Sequence, residues 1–518
     1  MKSNRILKHF GILLFVGMAL YYGWRMFALI PWYDELYTYY CFISKGPLYA
    51  AVHWPLPNNH VGYSVLSACL NVLGNPYIGL RGISYLCALA NLYLLYKIAG
   101  RYLREQTALV TVILYASMNL VNQQAVQGRG YTLGITCFLL AWHCMARICE
   151  MTERVPKRIY VCYIGALVLG LYTISSNVYW VVPLCLAGGC CLLFAQDPKR
   201  RTKLAGLIGA SLIAALGCVF LYTTIWVAIG SNLLVKDVSS AYYGMGHVEM
   251  ILGAPFAAIA RGIDYMLSTP YIQSEERAGF AGRLLEYLKI LSGSFFSAEA
   301  AVVLVWLSGS LFLAYKLFRR QKGQDASKRL LYLVLLIEIL FVPVCLLFQC
   351  KRPYYRVFTY AGVLLSLLLG VLLEAAGGAL LARLPNKKGK AAVCIAGMVL
   401  ALSFGVKCLG FSGYNEQYGT REYEIAQAWA QADVTEQENL CVTDCNQEYL
   451  LYFLYGIRCE NREIEGADVL LLDKRMMQPW DEMVWEFYHY YETIPWEYVN
   501  QNMTRVYENN DYVLFLRR

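Results

Sequence analysis

The stretch His60-Val61-Gly62-Tyr63-Ser64-Val65-Leu66-Ser67-Ala68-Cys69-Leu70-Asn71-Val72-Leu73 decides the topology of this chain, because it is apolar and yet too short to cross a membrane. A helix over these residues would rise about 21 Å, against roughly 30 Å of hydrocarbon in a bilayer. Counted as a span, it would carry the basic loop at Arg101 and Arg104 to the side opposite the other basic loops. Read as a helix lying at the interface or re-entering it, it leaves the loops in strict alternation, basic on one side and base-poor on the other.

Around that stretch the chain reads as a polytopic membrane protein. Of its 518 residues, 58% are hydrophobic and 16% charged, where soluble domains carry about 25% charged residues. Too few polar side chains remain to clothe a soluble surface. Apolar runs of spanning length fall near 10–30, 77–99, 106–122, 131–149, 159–176, 177–195, 204–229, 297–318, 329–348, 357–380 and 391–410, about eleven in all. Each is predicted to be helical, since lipid offers the backbone no hydrogen-bond partner. The basic loops carry Lys2, Arg5 and Lys8; Arg101 and Arg104; Arg154, Lys157 and Arg158; Lys199 to Lys203; Arg319 to Arg329; and Arg383 to Lys390. The others are poor in Lys and Arg, with Lys45 alone in 31–76. This pattern predicts a cytoplasmic amino terminus, with Asp34-Glu35 and the carboxyl terminus outside. The net charge of +9 is thus spread through topology signals and forms no nucleic-acid patch. A basic start, a long apolar run and no small-residue cleavage site predict an uncleaved signal anchor. Most of the 18 cysteines sit in apolar runs as small hydrophobes, and no Cys/His spacing reads as a zinc site. One disulfide among Cys441, Cys445 and Cys459 stays open.

The predicted architecture is a polytopic all-α membrane bundle over residues 1–410, followed by a small extracytoplasmic α/β domain over 411–518. The first outer loop, 31–76, carries interfacial helices at 34–44 and 60–73 that roof the bundle. A longer outer loop, 230–296, holds Tyr242-Tyr243-Gly244-Met245-Gly246-His247 and an amphipathic stretch from Arg283 to Leu291, and is expected to be ordered. In the C-terminal domain, strands are predicted at 440–443, 468–472 and 512–516, with helices at 421–432, 446–455 and 480–490.

Four polar groups fall at the outer ends of the spans. They are Asp34-Glu35 within Pro31-Trp32-Tyr33-Asp34-Glu35-Leu36-Tyr37; Asn58-Asn59-His60; Gln123-Gln124 with Gln127-Gly128-Arg129-Gly130-Tyr131; and Lys351-Arg352-Pro353-Tyr354-Tyr355-Arg356. An acidic pair where a span ends is either a solvated cap or a reaction site. Carboxylates, a histidine and several guanidinium groups at one depth suit an anionic ligand with a hydroxyl to be activated. Arginine matches phosphate through its bidentate fork, which lysine lacks. The plainer readings are a snorkelling span end for Arg129 and interfacial anchors for Arg352 and Arg356. Glu338 lies mid-span and is read as a helix-to-helix hydrogen bond.

These motifs, in this order and on one side, resemble those of the C-type (GT-C) integral-membrane glycosyltransferases. Within them the chain is similar to bacterial members of glycosyltransferase family 39, related to protein O-mannosyltransferases and lipid A aminoarabinose transferases. The likeness covers residues 1 to about 380 by layout. By residue it rests on Asp34-Glu35, on Pro57-Asn58-Asn59-His60-Val61-Gly62-Tyr63, and on Gln127-Gly128-Arg129-Gly130-Tyr131. Relatives often have His-Pro-Pro-Leu where this chain has His60-Val61-Gly62-Tyr63, and Arg-Pro-Tyr where it has Arg129-Gly130-Tyr131. The resemblance implies a polyprenyl-phosphate-linked sugar as donor, Asp34 as catalytic base with Glu35 as its companion, and basic residues on the lipid phosphate: Arg129, Arg352, Arg356 and Lys351. Asn59, His60, Tyr131 and Tyr354 are the further candidates for substrate contact. A divalent metal stays open, with Glu35 and His60 as its candidate ligands, and no other cofactor is implied.

The chemistry agrees. Nucleotide sugars are not supplied outside the cytoplasm, so a transferase there needs a donor delivered through the membrane on a lipid. In a direct displacement Asp34 takes the proton of the acceptor hydroxyl, a guanidinium stabilises the departing phosphate, and the anomeric centre inverts. The acceptor, whether protein, lipid or cell-envelope glycan, is not legible, and the expected partners are the lipid-linked donor, that acceptor and membrane lipid of the plasma membrane. A membrane acyltransferase would centre on a histidine. A transporter or flippase would place its polar residues near the midplane on broken helices. A scaffold binding a partner through 411–518 is the non-catalytic alternative.

Overall fold

The computed structural model describes residues 2–53, 59–230, 246–268, 272–319, 326–382, 387–411, 420–432, 439–479 and 482–518. Pro57, Asn58 and residues 242–245 of the long loop lie outside them. The first helix, α1 (Lys2–Ala28), gives way to three short ones, α2 (Tyr33–Cys41), α3 (Pro47–Val52) and α4 (Val61–Leu70). The two interfacial helices expected at 34–44 and 60–73 are therefore present, each ending in a 3₁₀ turn at Ile43–Lys45 and Asn71–Leu73. Local chemistry sets the breaks. Gly46 takes φ 97° before Pro47 opens α3, and Gly74 takes φ 76° before α5 (Pro76–Tyr102). Positive φ suits glycine, and proline suits the first turn of a helix. Asn75 caps α5 by accepting from the Ile78 amide at 3.2 Å.

Next come α6 (Glu105–Ala116), α7 (Asn119–Val126), α8 (Tyr131–Glu150), α9 (Lys157–Thr173), α10 (Val178–Leu193) and α11 (Arg200–Gly230). After them run α12 (His247–Ser268), α13 (Phe280–Phe296), α14 (Glu299–Phe318), α15 (Ala326–Gln349), α16 (Ala361–Ala382) and α17 (Lys387–Phe411). Among the described residues, 8 helices are long and apolar enough to cross a membrane, fewer than the eleven expected. The run at 106–122 breaks at Ser117-Met118, where the Ser117 hydroxyl bonds back to the Ile113 carbonyl at 2.6 Å. The Asn122 side-chain amide donates to the carbonyls of Ala116 at 2.6 Å and Met118 at 2.8 Å, bridging the break. The run at 159–176 becomes α9, 17 residues long. The apolar part of α17 is only Ile395–Cys408.

The loop expected at 230–296 holds two long helices. α12 packs Met250, Ala254 and Ala258 on Trp226 of α11 and exposes Val248, Ile251, Leu252, Phe256 and Ile259. Such a face suits lipid as solvent. Glu338, on α15, is 1% exposed, and neither carboxylate oxygen has a hydrogen-bond partner among the described residues. The helix-to-helix hydrogen bond expected of it is not formed.

The C-terminal part begins at α18 (Thr420–Ala432) and continues through β1 (Leu440–Cys441), α19 (Cys445–Tyr455), β2 (Val469–Asp473), α20 (Trp496–Asn502), β3 (Met503–Glu508) and β4 (Tyr512–Arg517). The sheet runs β1-β2-β4-β3, with β1 parallel to β2 and the other pairs antiparallel; Leu440 faces Val469, and Leu471 faces Leu514. β2 is buried on both faces, which explains its unbroken Val469-Leu470-Leu471-Leu472 run. The expected strands and two of the expected helices form. No helix forms over 482–490, where turns lead into a bridge between Phe487 and Asp444, and β3 and α20 were not anticipated. Cys441, Cys445 and Cys459 are free thiols.

This part does not hang on a tether. Ile425, Trp429, Val442 and Leu450 share one apolar core with Leu36, Tyr39 and Ile43 of the first loop and Leu80 of α5. Tyr40 donates to Glu448 at 2.7 Å, and the Tyr40 and Tyr449 rings lie 4.7 Å apart. The sheet and its helices are therefore seated on α2.

Candidate active site at the Asp34 turn

The turn that opens α2 sends its two acids in different directions. Trp32 is the N-cap, and its carbonyl accepts from the amides of Glu35 at 2.9 Å and Leu36 at 3.0 Å. Glu35 turns inward and is fully buried. Its Oε1 accepts from Arg81 Nε at 2.8 Å and the Gly128 amide at 2.5 Å; its Oε2 accepts from Arg81 Nη2 at 2.9 Å and the Trp32 amide at 3.3 Å. Arg81 also donates from Nη1 to the carbonyls of Met26 at 3.0 Å and Leu29 at 2.6 Å. One fork thus ties the end of α1, the start of α2, α5 and the 127–130 loop. Both oxygens of Glu35 are thus engaged within the protein.

Asp34 turns the other way. Its Oδ2, itself buried, lies 2.9 Å from Arg356 Nη2, and the two side chains as wholes are 18% and 22% exposed. Arg356 belongs to a 3₁₀ turn, Tyr355–Phe358, and its guanidinium lies between the rings of Trp32 at 5.1 Å and Tyr354 at 4.7 Å. Tyr131 is within hydrogen-bonding reach of the same guanidinium. Behind Asp34, Arg129 donates from Nη1 to the Thr38 hydroxyl at 2.7 Å and the Asp34 carbonyl at 3.3 Å.

Arg129 Nη2 is 3.1 Å from Nε2 of His60, and Nδ1 of His60 accepts the Gly130 amide at 2.9 Å. Burial, and then the charges of Arg129 and Arg356, hold the imidazole well below its ordinary pKa, so it is neutral. The Gly130 amide can only donate to Nδ1 and the Arg129 guanidinium only to Nε2, so the two contacts favour opposite tautomers of the neutral ring. The Tyr131 ring sits edge-on to His60 with centroids 5.1 Å apart. The two glycines of Gln127-Gly128-Arg129-Gly130 permit this approach: a Cβ on Gly128 would strike Leu80, and one on Gly130 would strike Thr173.

The structure therefore gathers Asp34, His60, Arg129, Tyr131 and Arg356, with Tyr354 as an exposed wall. Other candidates are committed elsewhere. Arg352 pairs with Glu275, which also binds Arg283 at 2.8 Å. Asn59 is buried and donates to the carbonyls of Ala50 at 3.1 Å and His53 at 2.7 Å, closing its own loop. Lys351 is buried next to α15. Among the described residues, no three His, Cys, Asp or Glu side chains lie close enough to hold a metal ion. Sequence reasoning missed Arg81, Thr38, Trp32 and Glu422, whose Oε1 accepts the Tyr33 amide at 2.9 Å. Arg81 had a signal, a lone arginine near the base-poor end of an apolar run. Glu422 had none, 389 residues away in sequence.

The architecture is thus a helical membrane bundle with a small C-terminal sheet and a carboxylate–guanidinium pair at one end. Residues 60–230 match the family model described as dolichyl-phosphate-mannose-protein mannosyltransferase. Among solved structures the chain is similar to ArnT from Cupriavidus metallidurans bound to undecaprenyl phosphate, with TM-score 0.56 and 12% identity over 97% of each chain. The apo form of that protein gives 0.54 and 11%, again over 97% of each. The archaeal oligosaccharyltransferase AglB from Archaeoglobus fulgidus, in complex with an inhibitory peptide and a dolichol-phosphate, gives 0.48 and 12% over 89% of this chain; this chain spans 61% of its length. A search of curated proteins returned no match. The chain shares the fold of ArnT, and its long apolar helices are those of an integral membrane protein.

Proposed function

We propose that this protein transfers a sugar from a polyprenyl-phosphate-linked donor to an acceptor hydroxyl, with inversion and with Asp34 as the base. The observation that carries the reading is the Asp34–Arg356 pair at 2.9 Å, set beside Arg129 and His60. Inversion puts the acceptor oxygen and the departing phosphate on opposite faces of the anomeric carbon, so the bound sugar parts this pair, with Asp34 on the acceptor and an arginine on the phosphate. The acceptor oxygen forms its bond to the anomeric carbon, its proton passes to Asp34, and the carbon–oxygen bond to the lipid phosphate breaks. The electron pair leaves with the phosphate, toward Arg356 and Arg129. ArnT, which shares the fold, is described bound to undecaprenyl phosphate, and the family model is that of dolichyl-phosphate-mannose-dependent enzymes. Both support a lipid-phosphate donor.

Orientation follows the same reading. Arg81 stands at the Asp34 end of α5 and Tyr102 at the other, about 30 Å apart at 1.5 Å per residue. The loops rich in Lys and Arg lie at the Tyr102 end, so the site and the C-terminal domain face the extracytoplasmic side. The test is transfer from a polyprenyl-phosphate sugar by purified protein. Asp34→Asn should lose about a hundredfold or more of the rate while its thermal unfolding is unchanged. A fully active Asp34→Asn enzyme would remove Asp34 as the base.

A further inference from the structure

At the end of the bundle away from Asp34, a cavity of about 180 Å³ opens between the ends of α5, α14, α15 and α16. Its walls are of two kinds. Leu103, Phe312, Leu331 and Val371 are apolar, and Lys316, Lys328, Tyr102, Tyr332 and Glu374 carry polar groups. The acid is already matched: Arg104 Nε lies 3.1 Å from Glu374 Oε1, and the Thr107 hydroxyl donates to Oε2 at 2.6 Å. Among the described residues, Lys316, Lys328 and Arg104 stand against the single carboxylate of Glu374, which gives this lining a net positive charge. Lys328 is exposed at the cavity mouth, and Lys316 lies over the Phe312 ring at 5.3 Å.

The depth is that of a membrane surface. Near the end of α14, Tyr315 and Phe318 are exposed beside Lys316 and Arg319, the mixture of aromatic and basic side chains found where a helix meets the headgroups. A basic pocket between spanning helices at that level, with apolar walls below the charges, suits a phosphate whose other end is acyl chain.

We propose that this cavity binds the headgroup of an anionic phospholipid in the leaflet opposite the Asp34 site. The phosphate sits between Lys316 and Lys328, the tyrosine hydroxyls bond the headgroup, and the acyl chains follow the apolar wall. Bound lipid would tie α14, α15 and α16 together at their ends. The inference does not depend on the transferase reading.

The experiment uses the full chain in detergent micelles, titrated with phosphatidylglycerol or phosphatidylcholine, with bound lipid counted by native mass spectrometry and the unfolding temperature followed. Phosphatidylglycerol should be retained and raise the unfolding temperature, and phosphatidylcholine should do neither. Lys316→Gln with Lys328→Gln should weaken phosphatidylglycerol binding by roughly tenfold or more, and Lys157→Gln, on an exposed lysine outside the cavity, should not. Equal binding of the two lipids, or unchanged binding by the double variant, overturns the proposal. So does an equal thermal shift from glycerol 3-phosphate alone, which would mark a soluble-anion site. Should the double variant fail to fold, Lys328→Gln alone carries the test, and undiminished retention in it overturns the proposal as well.

Discussion

Asp34 and Glu35 are neighbours with opposite fates, and burial separates them. The Glu35–Arg81 pair is fully buried, where removing one partner leaves a charge with nothing to offset its desolvation. Arg81→Met should therefore destabilise the protein by about 3–5 kcal/mol, seen as a large fall in unfolding temperature in detergent. An unchanged unfolding temperature, like that expected of Asp34→Asn, would contradict the structural role of Glu35. The arginines divide in the same way. Arg356→Ala should weaken binding of a polyprenyl-phosphate donor by roughly tenfold to a hundredfold, while Arg352→Ala, whose partner is Glu275, should leave it unchanged. Equal losses in both would return Arg352 to the site. From the sequence these residues looked alike, because a motif gives no direction to its side chains.

At the scale of elements, α2 is held by a helix far from it in sequence. Glu422 of α18 accepts the Tyr33 amide, one residue before Asp34. Burial first, and then Glu486 and Asp444, push the Glu422 carboxyl up to about 7, against hydrogen bonds from its own amide and that of Tyr33. Its folded pKa lies above the ordinary 4.5, so its contribution to stability is full below that pH and is lost as pH rises toward about 7. Glu422→Gln should remove that loss: hydrogen exchange of α18, followed from pH 5 to 8, should rise with pH more in the wild type than in the variant. Parallel profiles would show that Glu422 does not titrate in this range. Asp444, pushed up to about 7 by burial, acts in the same direction. Two of the three short helices of the first loop, at 34–44 and 60–73, were legible in the sequence, and α3 was not. Nor was the break at Ser117-Met118, since hydropathy alone cannot register a side chain that bonds its own backbone.

For the whole molecule, the arrangement predicts a sidedness. In a variant without accessible native cysteines, cysteine at Lys45 should react with an impermeant reagent from outside, and cysteine at Lys157 only after permeabilisation. The reverse pattern would place the Asp34 site in the cytoplasm and remove the argument for a lipid-carried donor. Composition, the length of the apolar runs and the placing of Lys and Arg determined by themselves that this is a helical membrane protein and that the apolar run at 60–73 is too short for an ordinary span. These are properties of segments facing a solvent, and each segment carries them alone. Only the tertiary structure decided that Glu35 is locked by Arg81 while Asp34 meets Arg356, that Arg352 serves Glu275, and that the C-terminal sheet is seated on α2. Those are pairings between segments far apart in the chain, fixed by the direction in which each side chain leaves its helix.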